Sequence, residues 1–332
     1  MKRRARTVRA AIPRGALACL IGLACALGAS RVADAHDLRP GVVSLTEVSP
    51  GEYALRFVPP VDSRGDAAGI TLVLPPGCSR DGVQVHCDGD LAGELGVAGM
   101  REGAAHTVVV LVRGGERSEW ILDAATPRVA IGAAAPAGVL AWIGLGIDHI
   151  LGGLDHLAFV IGLLLVLDVS FGRRLLFTIT AFTVAHSLTL ALAVVGVIEV
   201  HAAPVEACIA LSVLLVAREA LHGEPTAIRR WPWLAAGGFG LVHGLGFASA
   251  LRALGLPRAS LARSLVSFNV GVELGQLAVV AMVVALVAIG RRLIGERRIV
   301  GRHIHRTACY ALGALAAWWL LQRVVDLAGG GS

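Results

Sequence analysis

Long apolar runs fill the second half of the chain, and polar or glycine-rich connections separate them. Six such runs follow residue 138, and each reaches or approaches the ~20 apolar residues that a helix needs to cross a bilayer. The pattern therefore predicts a polytopic α-helical membrane bundle. Its six transmembrane helices are expected at about 139–167, 175–196, 204–221, 234–251, 264–290 and 307–325.

A polar segment with a different periodicity, residues 36 to 133, precedes these runs. It contains short stretches rich in β-branched residues, and Pro or Gly residues separate them. This spacing is typical of a small antiparallel β-sandwich or barrel outside the membrane. Cys78 and Cys87 lie nine residues apart across a predicted turn and would form a disulfide bond in an oxidising compartment. The predicted strands are 42–46, 53–58, 70–74, 83–87 and 107–113.

The first 35 residues have the three parts of a secretory signal peptide. A basic start precedes an apolar core at 16–29, and Ala33-Asp34-Ala35 matches an A-x-A cleavage site. Cleavage there would make His36 the first mature residue, whereas an uncleaved first helix is the alternative. The predicted domains are thus the signal peptide at 1–35, the β domain at 36–133 and the six-helix domain at 134–332.

Charge supports one orientation of the predicted helices. With the β domain exported, the inner connections hold eleven arginines and the outer connections hold four. This bias agrees with the positive-inside rule. We therefore expect a multi-pass protein of a bacterial inner membrane, with the β domain in the periplasm.

Composition agrees with a membrane protein and argues against two other functions. Hydrophobic residues make up 55% of the chain and charged residues 16%, and the mean hydropathy is +0.71. The net charge of +6 comes from arginines at the amino terminus and between apolar runs, where they set topology, so nucleic-acid binding is excluded. Only three methionines are present, which disfavours transport of Cu(I).

Two Asp-His pairs lie seven residues apart inside the first apolar run. They are Asp148-His149 and Asp155-His156, and Gly152-Gly153 stands between them. Because ionisable side chains are costly at membrane depth, they indicate a functional site, and they offer oxygen and nitrogen ligands to nickel, cobalt or zinc. In a continuous helix the two histidines would lie about 10 Å apart along the axis. We therefore predict a helix break at the glycines; pairing with each other and with water is the alternative.

The second and fourth predicted spans each contain a histidine. Thr183, His186 and Ser187 share a helix face, so we expect a hydroxyl to hold one imidazole nitrogen, as metal-bound histidines require. His243 lies between Gly240 and Gly244, a small-xxx-small pattern that lets another backbone approach closely. Each histidine could instead form a hydrogen bond between helices, and we favour the ligand hypothesis.

Carboxylates mark the third and fifth predicted spans. Glu206 lies near the outer end of the third span, where it could receive an incoming cation. Glu273 belongs to a polar stripe with Asn269 and Gln276 on an otherwise apolar helix. A carboxylate in that position is costly unless a cation pairs with it, and the imidazoles or a bound ion would supply that partner.

The mature amino terminus is a second and weaker candidate for metal capture. The α-amine and imidazole of His36 could chelate an ion together with His86 or His106. No ligand spacing of a known metal site supports this hypothesis, and ordinary solvated histidines are the alternative.

Five of these stretches resemble the HupE/UreJ proteins, in the same order. They are DHILGGLDH, TAFTVAHSLTLAL, PVEACIALSV, GFGLVHGLGFA and FNVGVELGQ. The chain is similar to the longer branch of that family, which has an exported amino-terminal domain. The resemblance implies a nickel or cobalt permease connected with the maturation of hydrogenase and urease, whose maturation proteins are possible partners. The implied site residues are His149, Asp155, His156, His186, Glu206, His243 and Glu273.

The predicted function is therefore a permease or accessory protein, and not an enzyme, that handles a divalent transition metal, with Asp148 added to the implied ligands. The runner-up is an intramembrane hydrolase in which zinc activates a water molecule, although the chain contains no H-E-x-x-H motif. A third hypothesis is a sensor whose helices only anchor the β domain. The sequence leaves the metal, the coupling and the oligomeric state open.

Overall fold

The structure is a computed structural model that describes residues 40–60, 69–100, 106–133, 136–167, 172–222, 226–247, 258–294 and 298–328. The predicted signal peptide and His36 lie outside these residues. Strands come first along the chain and helices follow, so the described residues comprise an amino-terminal β-rich domain and a helical part.

The strands form two sheets around one apolar core. The strands are β1 (Gly41–Ser49), β2 (Glu52–Val58), β3 (Thr71–Val73), β4 (Cys78–Asp81), β5 (Gln84–Cys87), β6 (Gly93–Ala98), β7 (Thr107–Arg113), β8 (Glu116–Leu122) and β9 (Arg128–Ile131). The larger sheet has the order β4-β5-β2-β1-β7-β8, and the smaller has the order β3-β6-β9. Leu45 and Leu111 of the larger sheet meet Leu95 and Val97 of the smaller one in the core.

The expectation of a purely antiparallel domain is wrong, because β1 pairs with β7 in parallel. Both strands lie in the interior of the larger sheet. Strand β7 is covered on both faces, so its residues 108–112 form a continuous apolar run instead of an alternating one. The predicted disulfide bond between Cys78 and Cys87 is confirmed. It links β4 to β5, where the two cysteines are direct partners in the antiparallel register.

The larger sheet also packs against the helical part. Side chains of a strand alternate between the two faces of its sheet. Val109 and Leu111 accordingly face the core between the sheets, whereas Val108 and Val110 join Phe268 of the helical part in a second apolar cluster. The β domain therefore rests directly on the helices.

Eight helices are described in the helical part. They are α1 (Val139–Gly152), α2 (Leu154–Val166), α3 (Arg173–Val194), α4 (Ala202–Leu221), α5 (Ala227–Arg230), α6 (Pro232–Gly246), α7 (Arg258–Ile294) and α8 (Arg298–Ala328). Three stretches are long and apolar enough to cross a membrane by themselves, namely α3, residues Leu261–Gly290 of α7 and residues Gly301–Ala328 of α8. The bent pair of α1 and α2 qualifies as a fourth, broken span.

The helices at the third and fourth predicted spans do not meet the same criteria. Every 18-residue window of α4 includes Glu206, Arg218 and Glu219, which makes the helix less apolar. Helix α6 has 15 residues and is therefore about 22 Å long, shorter than the ~30 Å hydrocarbon core of a bilayer. The described helices thus give three candidate spans, or four with the broken one, and the six-span topology stays a prediction.

Two pairs of helices pack closely through glycines. A Cβ atom on Gly244 of α6 would lie 2.2 Å from the carbonyl oxygen of His186 on α3, and one on Gly240 would lie 2.4 Å from that of Phe182. The predicted small-xxx-small contact is therefore confirmed. In the second pair, a Cβ on Gly146 of α1 would lie 2.0 Å from the carbonyl oxygen of Phe268 on α7. These close contacts set the separation of the helices that carry the histidines.

Candidate metal centre

A helix break brings the first two histidines together. Helix α1 ends at Gly152, Gly153 has an extended conformation with φ −81° and ψ 96°, and the axes of α1 and α2 differ by 72°. A Cβ on Gly153 would lie 2.8 Å from the carbonyl oxygen of His149 and 2.9 Å from Nδ1 of His156, so the turn has no room for a side chain. The ring centroids of the two histidines are 4.7 Å apart. The predicted break at the glycine pair is confirmed.

Two more histidines join this pair from other helices. His186 of α3 has its ring centroid 5.8 Å from that of His156 and 6.1 Å from that of His149. His243 of α6 lies 5.1 Å from His156 in the same measure. His156 is thus adjacent to the other three rings, and we call the four imidazoles and Asp155 the histidine cluster. Its members come from α1, α2, α3 and α6.

Three members of the histidine cluster lie close enough to share an ion. Asp155, His156 and His243 each offer one ligand atom, and these atoms lie within 4.8 Å of one another. Two nitrogen ligands of a tetrahedral metal ion are about 3.4 Å apart, so a modest contraction of the side chains would complete such a site. Within the described residues, no other group of three or more His, Cys, Asp or Glu side chains brings its ligand atoms this close together.

Hydrogen bonds fix which nitrogen of His156 and His243 carries the proton. Oδ1 of Asp155 accepts from Nδ1 of His156 at 2.9 Å, which leaves the lone pair of that ring on Nε2. Ser212 donates its hydroxyl proton to the carbonyl oxygen of Ile209 at 2.6 Å, so its Oγ accepts from Nε2 of His243 at 3.0 Å. Nδ1 of His243 therefore keeps its lone pair. Metal-bound histidines are oriented in this way by their outer partners.

Several buried nitrogens of the histidine cluster have no hydrogen-bond partner among the described residues. They are Nε2 of His149, both ring nitrogens of His186 and Nδ1 of His243. An unsatisfied buried polar atom costs about 1–3 kcal/mol. Several such atoms on rings that face one another fit a shared cation, because a cation would satisfy their lone pairs together.

The expected hydroxyl partner of His186 is a wrong prediction. Ser187 donates to the backbone oxygen of Thr183. The single hydroxyl proton of Thr183 is shared between Oε1 of Gln276 at 2.9 Å and the backbone oxygen of Ile179 at 3.3 Å. Serine and threonine inside a helix commonly bond to the carbonyl one turn earlier. The hydroxyl that does orient an imidazole belongs to Ser212 on α4, and the sequence pattern around His243 did not indicate it.

Phenylalanine rings surround the histidine cluster, and sequence reasoning did not single them out. Phe182 lies 5.1 Å from His243 between ring centroids, and Phe247 lies 4.4 Å from His149. Phe159 also contacts His243, and Phe268 also contacts His149. Such apolar walls keep bulk water away from the ring nitrogens and strengthen their interaction with a charged ligand. In the sequence, the position of Phe182 one helical turn before His186 was the feature that could have indicated such a wall.

Three predicted ligands have partners outside this group of residues. Asp148 is half exposed, and its Oδ2 lies 3.4 Å from Nε2 of His106 in the β domain. Glu206 forms an ion pair with Arg323 of α8, at 3.1 Å. Glu273 accepts from the hydroxyl of Thr180 on α3 at 2.6 Å. The histidine cluster therefore contains His149, Asp155, His156, His186 and His243 of the predicted site residues.

Comparison with known proteins assigns the chain to a family. A family model described as HupE / UreJ protein matches residues 126–323, a range that begins before α1 and ends within α8. No curated protein and no solved structure matches the chain significantly. The match covers more than half of the chain and all members of the histidine cluster. The resemblance inferred from the five sequence stretches is thereby confirmed, and the chain belongs to the HupE/UreJ family.

Proposed function

We propose that this protein is a permease that binds a divalent transition metal at the histidine cluster and passes it across the membrane. The observation that carries the proposal is the convergence of four imidazoles from four helices, three of them buried and that of His149 partly buried, several with nitrogens that lack a partner in the described part. Membership of the HupE/UreJ family favours nickel or cobalt as the transported ion.

The donor set suits such an ion. Imidazole is a good ligand for nickel and zinc, whereas calcium and magnesium prefer oxygen ligands. The histidine cluster contributes one carboxylate, Asp155, so a bound divalent ion would keep part of its charge uncompensated. Binding of moderate strength is appropriate for transport, because a transported ion must also leave its site.

The same geometry favours a permease over a hydrolase. A metal-dependent hydrolase needs a group that accepts a proton from the metal-bound water. Asp155 is the carboxylate of the cluster, and its Oδ1 already accepts from the backbone N–H and from Nδ1 of His156. We infer that Asp155 orients His156 instead of serving as a general base.

We place the protein in a bacterial inner membrane with its β domain in the periplasm. The arginine distribution supports this orientation, and the contact of His106 with Asp148 sets the β domain beside the residue that precedes His149. An ion arriving from the periplasm would then meet the histidine cluster from the side of α1. Maturation proteins of nickel enzymes are the expected recipients on the other side.

The proposal is tested by the metal content of protein purified in detergent and equilibrated with Ni²⁺, measured by mass spectrometry. We expect His156→Ala to lower the bound nickel at least about tenfold, since it removes the ring adjacent to the three others. His201→Ala is the matched control, because His201 is exposed at the start of α4. Equal nickel content in wild type and His156→Ala would contradict binding at the histidine cluster.

Transport needs a second measurement in cells. Cells that produce the wild-type protein should accumulate more nickel or cobalt than cells that produce His156→Ala at the same level in the membrane. If the purified protein binds metal but cells show no difference in uptake, the permease hypothesis fails. Chelator-sensitive cleavage of lipid or peptide substrates would then support the hydrolase.

A further inference from the structure

A second pair of metal-ligand side chains lies on α8, away from the histidine cluster. His305 and Cys309 are four residues apart and share one helix face. Sγ of Cys309 lies 3.7 Å from Nδ1 of His305 and 4.0 Å from its Nε2. Cys309 is fully buried, and it is a free thiol.

The protonation of His305 leaves a lone pair beside the thiol. Nε2 of His305 lies 3.0 Å from the backbone oxygen of Leu165, and a carbonyl only accepts hydrogen bonds. Nε2 therefore carries the proton and Nδ1 has the lone pair. Leu165 belongs to the last turn of α2, whose carbonyls have no partner within the helix. The bond to Leu165 thus satisfies Nε2 of His305. Nδ1, which is the nitrogen nearer to Sγ of Cys309, keeps a lone pair that could bind a ligand.

The separation of these two atoms matches a shared metal ion. A metal–nitrogen distance of about 2.1 Å and a metal–sulfur distance of about 2.3 Å, at a tetrahedral angle, place the two donors about 3.6 Å apart. The observed distance from Nδ1 to Sγ is 3.7 Å. Thiolate and imidazole together prefer ions such as zinc, cobalt and nickel over magnesium or calcium.

We propose that His305 and Cys309 form a second metal site, for a divalent ion of borderline softness such as nickel, cobalt or zinc. Leu165 is nine residues after His156 on α2, so this site lies roughly 13 Å along that helix from the histidine cluster. Two ligands from the chain leave further coordination positions for other donors. A role of this site in releasing the transported ion would rest on the proposed function, whereas the binding of metal does not.

Cobalt is a suitable probe, because a thiolate bound to Co²⁺ gives a charge-transfer absorption band that imidazole and carboxylate ligands do not give. The test protein is the full chain with Cys19, Cys25 and Cys208 changed to Ser. Cys78 and Cys87 are held in a disulfide bond, so Cys309 is then the remaining free thiol. We expect the band on titration with Co²⁺ in this protein.

Two further variants identify the ligands. Cys309→Ser should remove the band, and His305→Gln should weaken cobalt binding to Cys309 at least about tenfold. The single variant Cys208→Ser is the matched control and should keep the band, since Cys208 is the exposed free cysteine. Unchanged thermal unfolding of Cys309→Ser and Cys309→Ala would show that loss of the band is not loss of the fold.

The outcomes separate this site from the proposed function. His156→Ala should lose nickel at the histidine cluster and keep the charge-transfer band. Absence of the band in the test protein would overturn the second site, and Cys309 would then only donate its S–H to His305. Persistence of the band in Cys309→Ser would also overturn it. Neither result would bear on the nickel bound by the histidine cluster.

Discussion

Histidines of the β domain and of the helical part differ in surroundings more than in chemistry. His86 is half exposed and lies 3.7 Å from the exposed carboxylate of Glu52, a contact that contributes about 0–1 kcal/mol. His186 and His243 are buried, and they retain ring nitrogens without a hydrogen-bond partner in the described part of the chain. Each such atom costs about 1–3 kcal/mol when nothing binds it. Burial of unsatisfied nitrogens, rather than the presence of histidine, therefore marks the candidate site.

Helices of the helical part pack closely through glycines, whereas a disulfide bond links two strands of the β domain. We expect the largest effect on stability from a substitution at one of these glycines. Gly244 lies in the contact of α6 with α3, where an added Cβ would come 2.2 Å from the backbone of His186 and 2.3 Å from Oγ1 of Thr189. We expect Gly244→Ala to destabilise the helical part by about 3 kcal/mol, the upper end of the usual range for overpacking, because backbone cannot move aside easily. Thermal unfolding in detergent and nickel content would measure the change.

The control for this substitution stands on the same helix. A Cβ added at Gly238 would meet no atom within 4 Å outside its own helix backbone, so Gly238→Ala should be neutral or gain up to about 1 kcal/mol from helix propensity. If Gly238→Ala and Gly244→Ala were equally harmful, close packing of α6 on α3 would not be what holds His186 and His243 together.

Removal of the disulfide bond should affect the β domain alone. Replacing Cys78 and Cys87 with serine frees a loop with a sequence separation of nine residues, which costs about 2–3 kcal/mol in the chain-entropy description. Hydrogen exchange should rise in β4 and β5, while nickel binding at the histidine cluster stays unchanged. Loss of nickel binding in this variant would mean that the β domain contributes to the metal site beyond covering the helices.

The two Asp-His pairs offer a sharper comparison within α1 and α2. Asp155 orients His156, whereas Asp148 faces His106 of the β domain. Asp155 is also one of the three side chains that could share the ion. Loss of a partner that orients a metal-bound histidine usually weakens metal binding about 10–100-fold, so we expect at least this reduction for Asp155→Asn and none for Asp148→Asn. Calorimetric titration with Ni²⁺ measures both, and equal weakening by the two substitutions would contradict the distinction.

The break in the first span could be predicted from the sequence, because the Asp-His pairs and the Gly-Gly step that indicate it lie within nine consecutive residues. Sequence reasoning could not separate Asp148 from Asp155, since positions seven apart share one face of a continuous helix and only the packing on either side of the break decides which carboxylate faces inward. The sequence analysis also did not predict four of the described strands, β4, β6, β8 and β9. For β4 the reason is plain. Its residues are exposed or half exposed, so no alternation of apolar side chains reveals it.

The spans predicted from the sequence differ from the candidate spans of the structure at α4 and α6. Helix α4 carries Glu206, Arg218 and Glu219, and the structure gives Glu206 and Glu219 partners in Arg323 and Arg229. Arg323 lies 117 residues from Glu206 along the chain, and Arg229 follows α4 itself, so a hydropathy average over the helix takes account of neither partner. The parallel pairing of β1 with β7 is likewise a contact between distant segments.

Ser212 was outside the reach of sequence reasoning for the same reason, because it lies 31 residues from the imidazole that it orients. Its hydroxyl becomes a partner of His243 only when α4 packs against α6.

The smallest predicted effect tests whether that hydroxyl fixes the tautomer of His243. Ser212→Ala removes the acceptor for Nε2–H, and the loss of one buried hydrogen bond of about 1 kcal/mol should weaken nickel binding about fivefold. Ser212→Thr keeps the hydroxyl and should bind nickel like wild type. Ser267→Ala is a second control, since that hydroxyl only bonds the backbone of its own helix at Arg263. If Ser212→Ala bound nickel as tightly as wild type, Nδ1 of His243 would hold its lone pair without help from α4, and the packing of α6 on α3 alone would suffice to aim the ring.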